Sequence, residues 1–143
     1  MDGGKIMWWT YALLSAVFAA LTAIFAKIGI KGVNSDLATA IRTIVILLIA
    51  WGIVLARGNT KDIPLLSKEN LIFLILSGIA TGLSWVFYFK ALSLGDASKV
   101  APIDKLSVAF VIILAAVFLQ EAITIKTAIG AALIIGGSLV LIL

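Results

Sequence analysis

Five stretches of about 20 apolar residues follow one another along the chain, and each is long enough to cross a bilayer as a helix. They run over residues of about 8–30, 37–56, 70–92, 97–119 and 123–143. Of the 143 residues, 63% are hydrophobic and 13% are charged, so a water-soluble fold would have too few charges to cover its surface. The sequence therefore predicts an all-α integral membrane protein, with five transmembrane helices in one domain over residues 1–143.

Polar residues and a proline mark the ends of these segments. Asn34, Ser35 and Asp36 offer oxygens that could cap the start of the second helix, and Asp96 is placed to cap the fourth. Pro102 lacks a backbone donor, so it either loosens or kinks the fourth helix or lies close enough to its start to be harmless. The segment boundaries are therefore expected close to these residues.

The absence of two residue types limits the chemistry of the chain. It contains no cysteine and no histidine, which excludes disulfides, thiol chemistry and the usual histidine-based catalytic sets. No paired acid–base arrangement replaces them, so we expect no enzyme, no metal and no cofactor. The net charge of +4 comes from basic residues that stand singly at segment ends. Membrane lipids, and not nucleic acid, are therefore the expected surroundings.

The basic residues are almost evenly divided between the two sides of the membrane. Five helices place the chain ends on opposite sides, which assigns each lysine and arginine to a side. The five on the N-terminal side are Lys5, Arg57, Lys61, Lys68 and Lys126, and the six on the other side are Lys27, Lys31, Arg42, Lys90, Lys99 and Lys105. Because orientation follows the excess of basic residues, this balance predicts insertion in both orientations, and two opposed copies would form an inverted repeat. The alternative is a single orientation set by one or two charges.

Charged residues on the second and fourth segments fall at the same depth. Both segments run away from the same face, and a rise of 1.5 Å per residue places Arg42 about 7 Å beyond Leu37 and Asp104 about 10 Å beyond Ala97. Because charges within a membrane need partners, we predict a structural ion pair between Arg42 and Asp104. Lys105 points about 100° away from Asp104, so it either faces a cavity or extends to the interface.

Aromatic and hydroxyl side chains reach this layer from the first and third segments. Trp85, Tyr88 and Phe89 share one helical face, and Thr22 lies at a comparable depth. An aromatic belt or simple packing is the alternative explanation for these rings. A polar and aromatic cavity would suit a small organic solute, and the excess of basic residues at this face favours an anionic or zwitterionic one. The predicted cavity residues are Thr22, Arg42, Trp85, Tyr88 and Lys105.

Three stretches of the sequence have the pattern of a known family. The longest is Ser77–Asp104, SGIATGLSWVFYFKALSLGDASKVAPID, followed by Lys105, a long apolar helix and Gln120–Glu121. The others are ATAIRTIVILL around Arg42 and the final GAALIIGGSLVLIL. Together they resemble the EamA-type domain of the drug/metabolite transporter superfamily over essentially the whole chain, most specifically from Trp85 through Lys105. Many members carry two such domains and ten helices. The resemblance therefore implies a partner for this five-helix chain, which we expect to be an antiparallel second copy.

The resemblance implies a half-size secondary transporter that moves a small organic metabolite across the inner, cytoplasmic membrane by alternating access. The cavity would be lined by the first four helices of each half of a ten-helix inverted repeat. The matched positions are Arg42, Trp85, Tyr88, Asp104 and Lys105. The chain differs from the small multidrug resistance branch in its fifth helix and in lacking that branch's membrane-embedded glutamate, so multidrug cation antiport is not expected. A non-transporting scaffold or accessory subunit and a lipid-handling flippase subunit are the alternatives.

Overall fold

The structure is a computed structural model that describes the backbone of residues 3–143 and the side chains from Trp8 onward. Lys5, one of the counted basic residues, lies outside the described side chains. All regular secondary structure in this range is helical. The helices are α1 Gly3–Gly29, α2 Ser35–Ala56, α3 Lys68–Leu94, α4 Ala97–Asp104, α5 Ser107–Phe118 and α6 Ile125–Ile142, with a 3₁₀ segment, Asn59–Leu65, between α2 and α3.

Five parts of the described chain are long and apolar enough to span a membrane. They are Trp8–Gly29, Ser35–Ala56, Lys68–Leu94, Ala97–Phe118 and Ile125–Ile142. Most of their large apolar side chains are exposed, which suits segments whose apolar surroundings are supplied by lipid or by another subunit. The predicted all-α membrane fold with five spans is confirmed.

The chain divides into two compact units. One unit, residues 26–93, contains the end of α1, all of α2 and α3 as far as residue 93. The other contains α1 up to Phe25 together with residues 94–143, and within it α6 packs against both α4 and α5. Val100 on α4, Ala109 on α5 and Ser138 on α6 are buried.

The two predicted helix caps have different outcomes. Asn34 is the N-cap of α2, where its Oδ1 accepts hydrogen bonds from the backbone N–H groups of Asp36 at 2.8 Å and Leu37 at 3.2 Å. Asp96 occupies the N-cap position of α4, but its side chain makes no capping hydrogen bond. The N–H of Lys99, the usual target of such a cap, donates instead to the backbone carbonyl of Asp96 at 3.0 Å.

The fourth span is interrupted between α4 and α5. The N–H of Lys105 is shared between the carbonyls of Ala101 at 3.2 Å and Pro102 at 3.1 Å, and the N–H of Leu106 bonds to Ile103 at 3.0 Å. The bonds to Pro102 and Ile103 reach only three residues back, which tightens the backbone into a 3₁₀-like turn. The predicted fourth helix is thus two helices, α4 and α5. The break lies three residues beyond Pro102, whose ring and missing donor act on the preceding turn, so the proline by itself does not place it.

Candidate functional site

A polar face runs along the first half of α2. Ser35, Thr39 and Arg42 follow one another at helical spacing; the two hydroxyl residues are buried and Arg42 is half-buried. The hydroxyl of Thr39 donates to the carbonyl of Ser35 at 2.9 Å, and that of Thr43 donates to Thr39 at 2.8 Å. The hydroxyl donors of Thr39 and Thr43 are thus satisfied within their own helix, whereas Arg42 is a charged group on this face that needs partners from elsewhere.

The guanidinium of Arg42 lies against two aromatic rings of α3. Its Cζ is 4.3 Å from the ring centroid of Trp85 and 5.1 Å from that of Phe89, both within cation–π range. The ring of Tyr88 meets that of Phe89 edge-on, with centroids 6.4 Å apart. Phe89 is only 3% exposed, so this side of the guanidinium is held against a packed surface. We call Arg42, Trp85 and Phe89 the arginine cradle.

One nitrogen of this guanidinium has its hydrogen-bonding capacity unused. Nη1 of Arg42 is buried, and no described residue forms a hydrogen bond with it. A buried charged donor left without an acceptor costs about 1–3 kcal/mol or more, and an aromatic face accepts an N–H only weakly. The arginine cradle therefore presents a positive charge that lacks an acceptor at Nη1.

A lysine joins the ends of α1 and α3. Nζ of Lys27 donates to the backbone carbonyl of Leu92 at 2.7 Å, and Leu92 is completely buried. This carbonyl lies in the last turn of α3, where helix carbonyls lack partners within the helix. Sequence reasoning treated Lys27 only as an end signal. The signal for this contact was the alternating direction of the spans, which brings the ends of the first and third spans to the same side.

The lysine contact predicts a measurable loss of stability. Lys27→Met removes a donor to a buried carbonyl, so we expect the free energy of unfolding in detergent to fall by about 1.5–3 kcal/mol. Lys31→Met is the matched control, because Lys31 lies just past the end of α1 and is exposed. Unfolding curves that coincide for Lys27→Met and Lys31→Met would show that the contact with Leu92 does not stabilise the protein.

The remaining predicted site residues belong to the other compact unit. The hydroxyl of Thr22 donates to the carbonyl of Phe18 in its own helix at 2.8 Å. Asp104 accepts from Nζ of Lys105 at 3.4 Å, with side chains 37% and 57% exposed. The ion pair between Arg42 and Asp104 stays a prediction.

The predicted set is thus only partly assembled within one unit. The structure brings Arg42 against Trp85 and places Tyr88 beside the cradle. Phe89 was recognised as sharing the face of Trp85 but was not selected as a site residue. Phe89 follows Trp85 by four residues, and this spacing could have identified it as a second ring of the same site.

Five helices in the described part of the chain, long and apolar enough to span a membrane, define it as a polytopic membrane protein. One of these spans holds the charged side chain of Arg42, and charges within the spans of such proteins mark solute and ion pathways. The chain is a member of the EamA-like transporter family, which it matches over residues 6–143. A protein of Sinorhizobium sp. named "Uncharacterized transporter in cobO 3'region" is 50% identical over 134 residues, which are 94% of this chain and 95% of the relative. No solved structure matches the chain. The family resemblance found in the sequence is confirmed.

Proposed function

We propose that the chain is a half-size secondary transporter, and not an enzyme, that moves a small organic metabolite across the cytoplasmic membrane by alternating access. Its family and the name of its relative support a transport function. The observation that carries the proposal is the arginine cradle, a positive charge with an unused buried donor on a membrane-spanning helix. Such a charge is costly in a purely structural role and is typical of a solute pathway.

The functional unit in this proposal is an antiparallel homodimer. The nearly equal numbers of basic residues on the two sides favour insertion in both orientations. The relative matches over 95% of its own length, so its chain is also of this size. Two opposed five-span copies supply the ten helices and the inverted repeat that secondary transporters use for alternating access.

The proposed solute cavity draws on the polar layer found in the sequence, with Thr22, Arg42, Trp85, Tyr88 and Lys105 as its lining. Asp104 is proposed to balance the charge of Arg42. The two roles of Arg42 are compatible, because a guanidinium has five N–H donors and one carboxylate uses at most two of them. Lys105 then acts on the solute instead of on the fold.

Solute flux in vesicles tests the proposal. The purified chain alone is reconstituted into vesicles loaded with organic acids, amino acids, sugars and amines, and release of each class is compared with protein-free vesicles. We expect at least one class to be released faster by the protein. Lys105→Gln should lower this flux about tenfold, because one charged hydrogen bond to the solute is lost. The stability of the protein should not fall. Lys99→Gln is the matched control, because Lys99 lies in the same span and is also exposed.

Two results would contradict transport by this chain. Folded protein that releases none of the solutes would favour a scaffold or accessory subunit, and movement of labelled lipid between leaflets without solute flux would favour a flippase subunit. Wild-type flux in Lys105→Gln would remove Lys105 from the cavity.

A further inference from the structure

We infer that the transported solute carries a carboxylate, and that this carboxylate accepts a hydrogen bond from Nη1 of Arg42 in the arginine cradle. The inference rests on the proposed function and adds the chemical class of the solute. It follows from two observations on one guanidinium: aromatic rings hold its position, and one of its buried donors has no acceptor among the described residues.

The rings cover the face of the guanidinium, so a carboxylate has to bind at its edge. Because Nη1 is buried in this structure, the carboxylate reaches it in a conformation that alternating access opens. Trp85 and Phe89 contact the Cζ atom at 4.3 and 5.1 Å from their centroids, so they restrict the movement of the group before a solute arrives. A positioned guanidinium loses less side-chain entropy on binding than a mobile one. Its planar N–H groups match the geometry of a carboxylate, which can accept two parallel hydrogen bonds.

The charge of the proposed cavity selects a single negative charge. Arg42 and Lys105 carry two positive charges and Asp104 one negative charge, which leaves a net charge of +1. A cationic solute would be repelled, and a neutral carbonyl would form a weaker hydrogen bond than an ionised acceptor does. A doubly charged phosphate would exceed this net charge by one, and a negative charge without a partner is costly in an apolar environment. The neighbouring hydroxyls of Thr39 and Thr43 donate within α2, and Lys27 donates to Leu92, so these donors are already engaged.

The fluorescence of Trp85 can report occupation of the cradle. In the full-length chain, Trp8, Trp9 and Trp51 are replaced by phenylalanine, which leaves Trp85 as the single tryptophan. The detergent-solubilised protein is titrated with formate, acetate and benzoate, and separately with formamide, acetamide and benzamide. Each amide resembles its acid in shape but lacks the negative charge.

We expect a saturable change in Trp85 emission with at least one carboxylate and with none of the amides. Arg42→Lys keeps the charge but loses the planar donors, so it should weaken carboxylate binding about tenfold to a hundredfold. Arg57→Lys is the matched control, because it makes the same change at the chain's other arginine, which lies at the C-cap of the same helix. Its titration should equal that of the parent protein.

The inference is overturned if no carboxylate changes the emission, if amides bind as well as acids, or if folded Arg42→Lys keeps parental affinity. If Arg42→Lys does not fold, the comparison of acids with amides on the protein that keeps Arg42 still shows whether the cradle binds a carboxylate. Carboxylate binding without any flux in vesicles would reject transport but leave the anion site. Flux of uncharged solutes alone, insensitive to benzoate, would reject the anion site but leave transport.

Discussion

Arg42→Gln and Asp104→Asn should each lower the free energy of unfolding by about 3–5 kcal/mol, because either change leaves the proposed partner charge unpaired within a membrane span. The double variant should recover most of this loss, since neither charge then remains. Recovery should be incomplete by about 0.5–2 kcal/mol, because Arg42→Gln also removes the cation–π contact with Trp85. Chemical unfolding of the four proteins in detergent measures the cycle.

The loss of stability in Asp104→Asn shows whether Arg42 or Lys105 is the main partner of the Asp104 carboxylate. Its contact with Lys105 is 3.4 Å long, beyond the usual length of a charge-assisted hydrogen bond, and both side chains are partly exposed. If Lys105 were its only partner, the loss would be about 0–1 kcal/mol. Asp96→Asn is the matched control, because the Asp96 side chain makes no capping bond at the start of the same helix. Wild-type stability in both single variants would reject the pair with Arg42.

The spans and one cap could be predicted because both depend on neighbouring residues alone. The length of an apolar segment decides whether it can cross a bilayer, and this length is given directly by the sequence. The Asn34 cap is equally local, since its oxygen bonds to N–H groups two and three residues later. The break in the fourth span was only half predictable: Pro102 indicates a disturbance, but the shared bonds of Lys105 decide where it falls.

Most contacts between helices could not be predicted because, away from the polar face of α2, these helices are apolar on every side. In a soluble protein the apolar stripe of a helix identifies its buried face, but lipid removes this contrast. Phe89, nearly fully buried, therefore looks like the exposed Phe87 two residues before it. The alternation of the spans brings Lys27 and Leu92 to the same side, but the bond between them also depends on how closely the first and third spans approach.

Reporters fused to the C-terminus should be active on both sides of the membrane. With Arg42 and Lys105 set aside as residues within spans, five basic residues remain on the N-terminal side and four on the other, which is almost no bias. One reporter active only in the cytoplasm and one active only outside it make the measurement. Signal from a single side, in cells that express no other copy, would contradict the antiparallel homodimer.

Orientation can then be coupled to activity by moving basic residues. Asn59→Lys with Leu65→Lys changes two exposed positions of the loop after α2. The N-terminal side then has seven basic residues against four on the other side, so the chain should insert in one orientation and flux should be abolished. A complementary chain carries Val33→Lys and Leu94→Lys, exposed positions on the opposite side, together with Lys61→Gln and Lys68→Gln.

Each biased chain should be inactive alone, and co-expression of the two should restore flux, because only the mixture contains opposed copies. Asn59→Gln with Leu65→Gln is the matched control, which changes the same positions without adding charge and should keep wild-type flux. Full activity of either biased chain by itself would show that one orientation suffices, and the functional unit would then not be antiparallel.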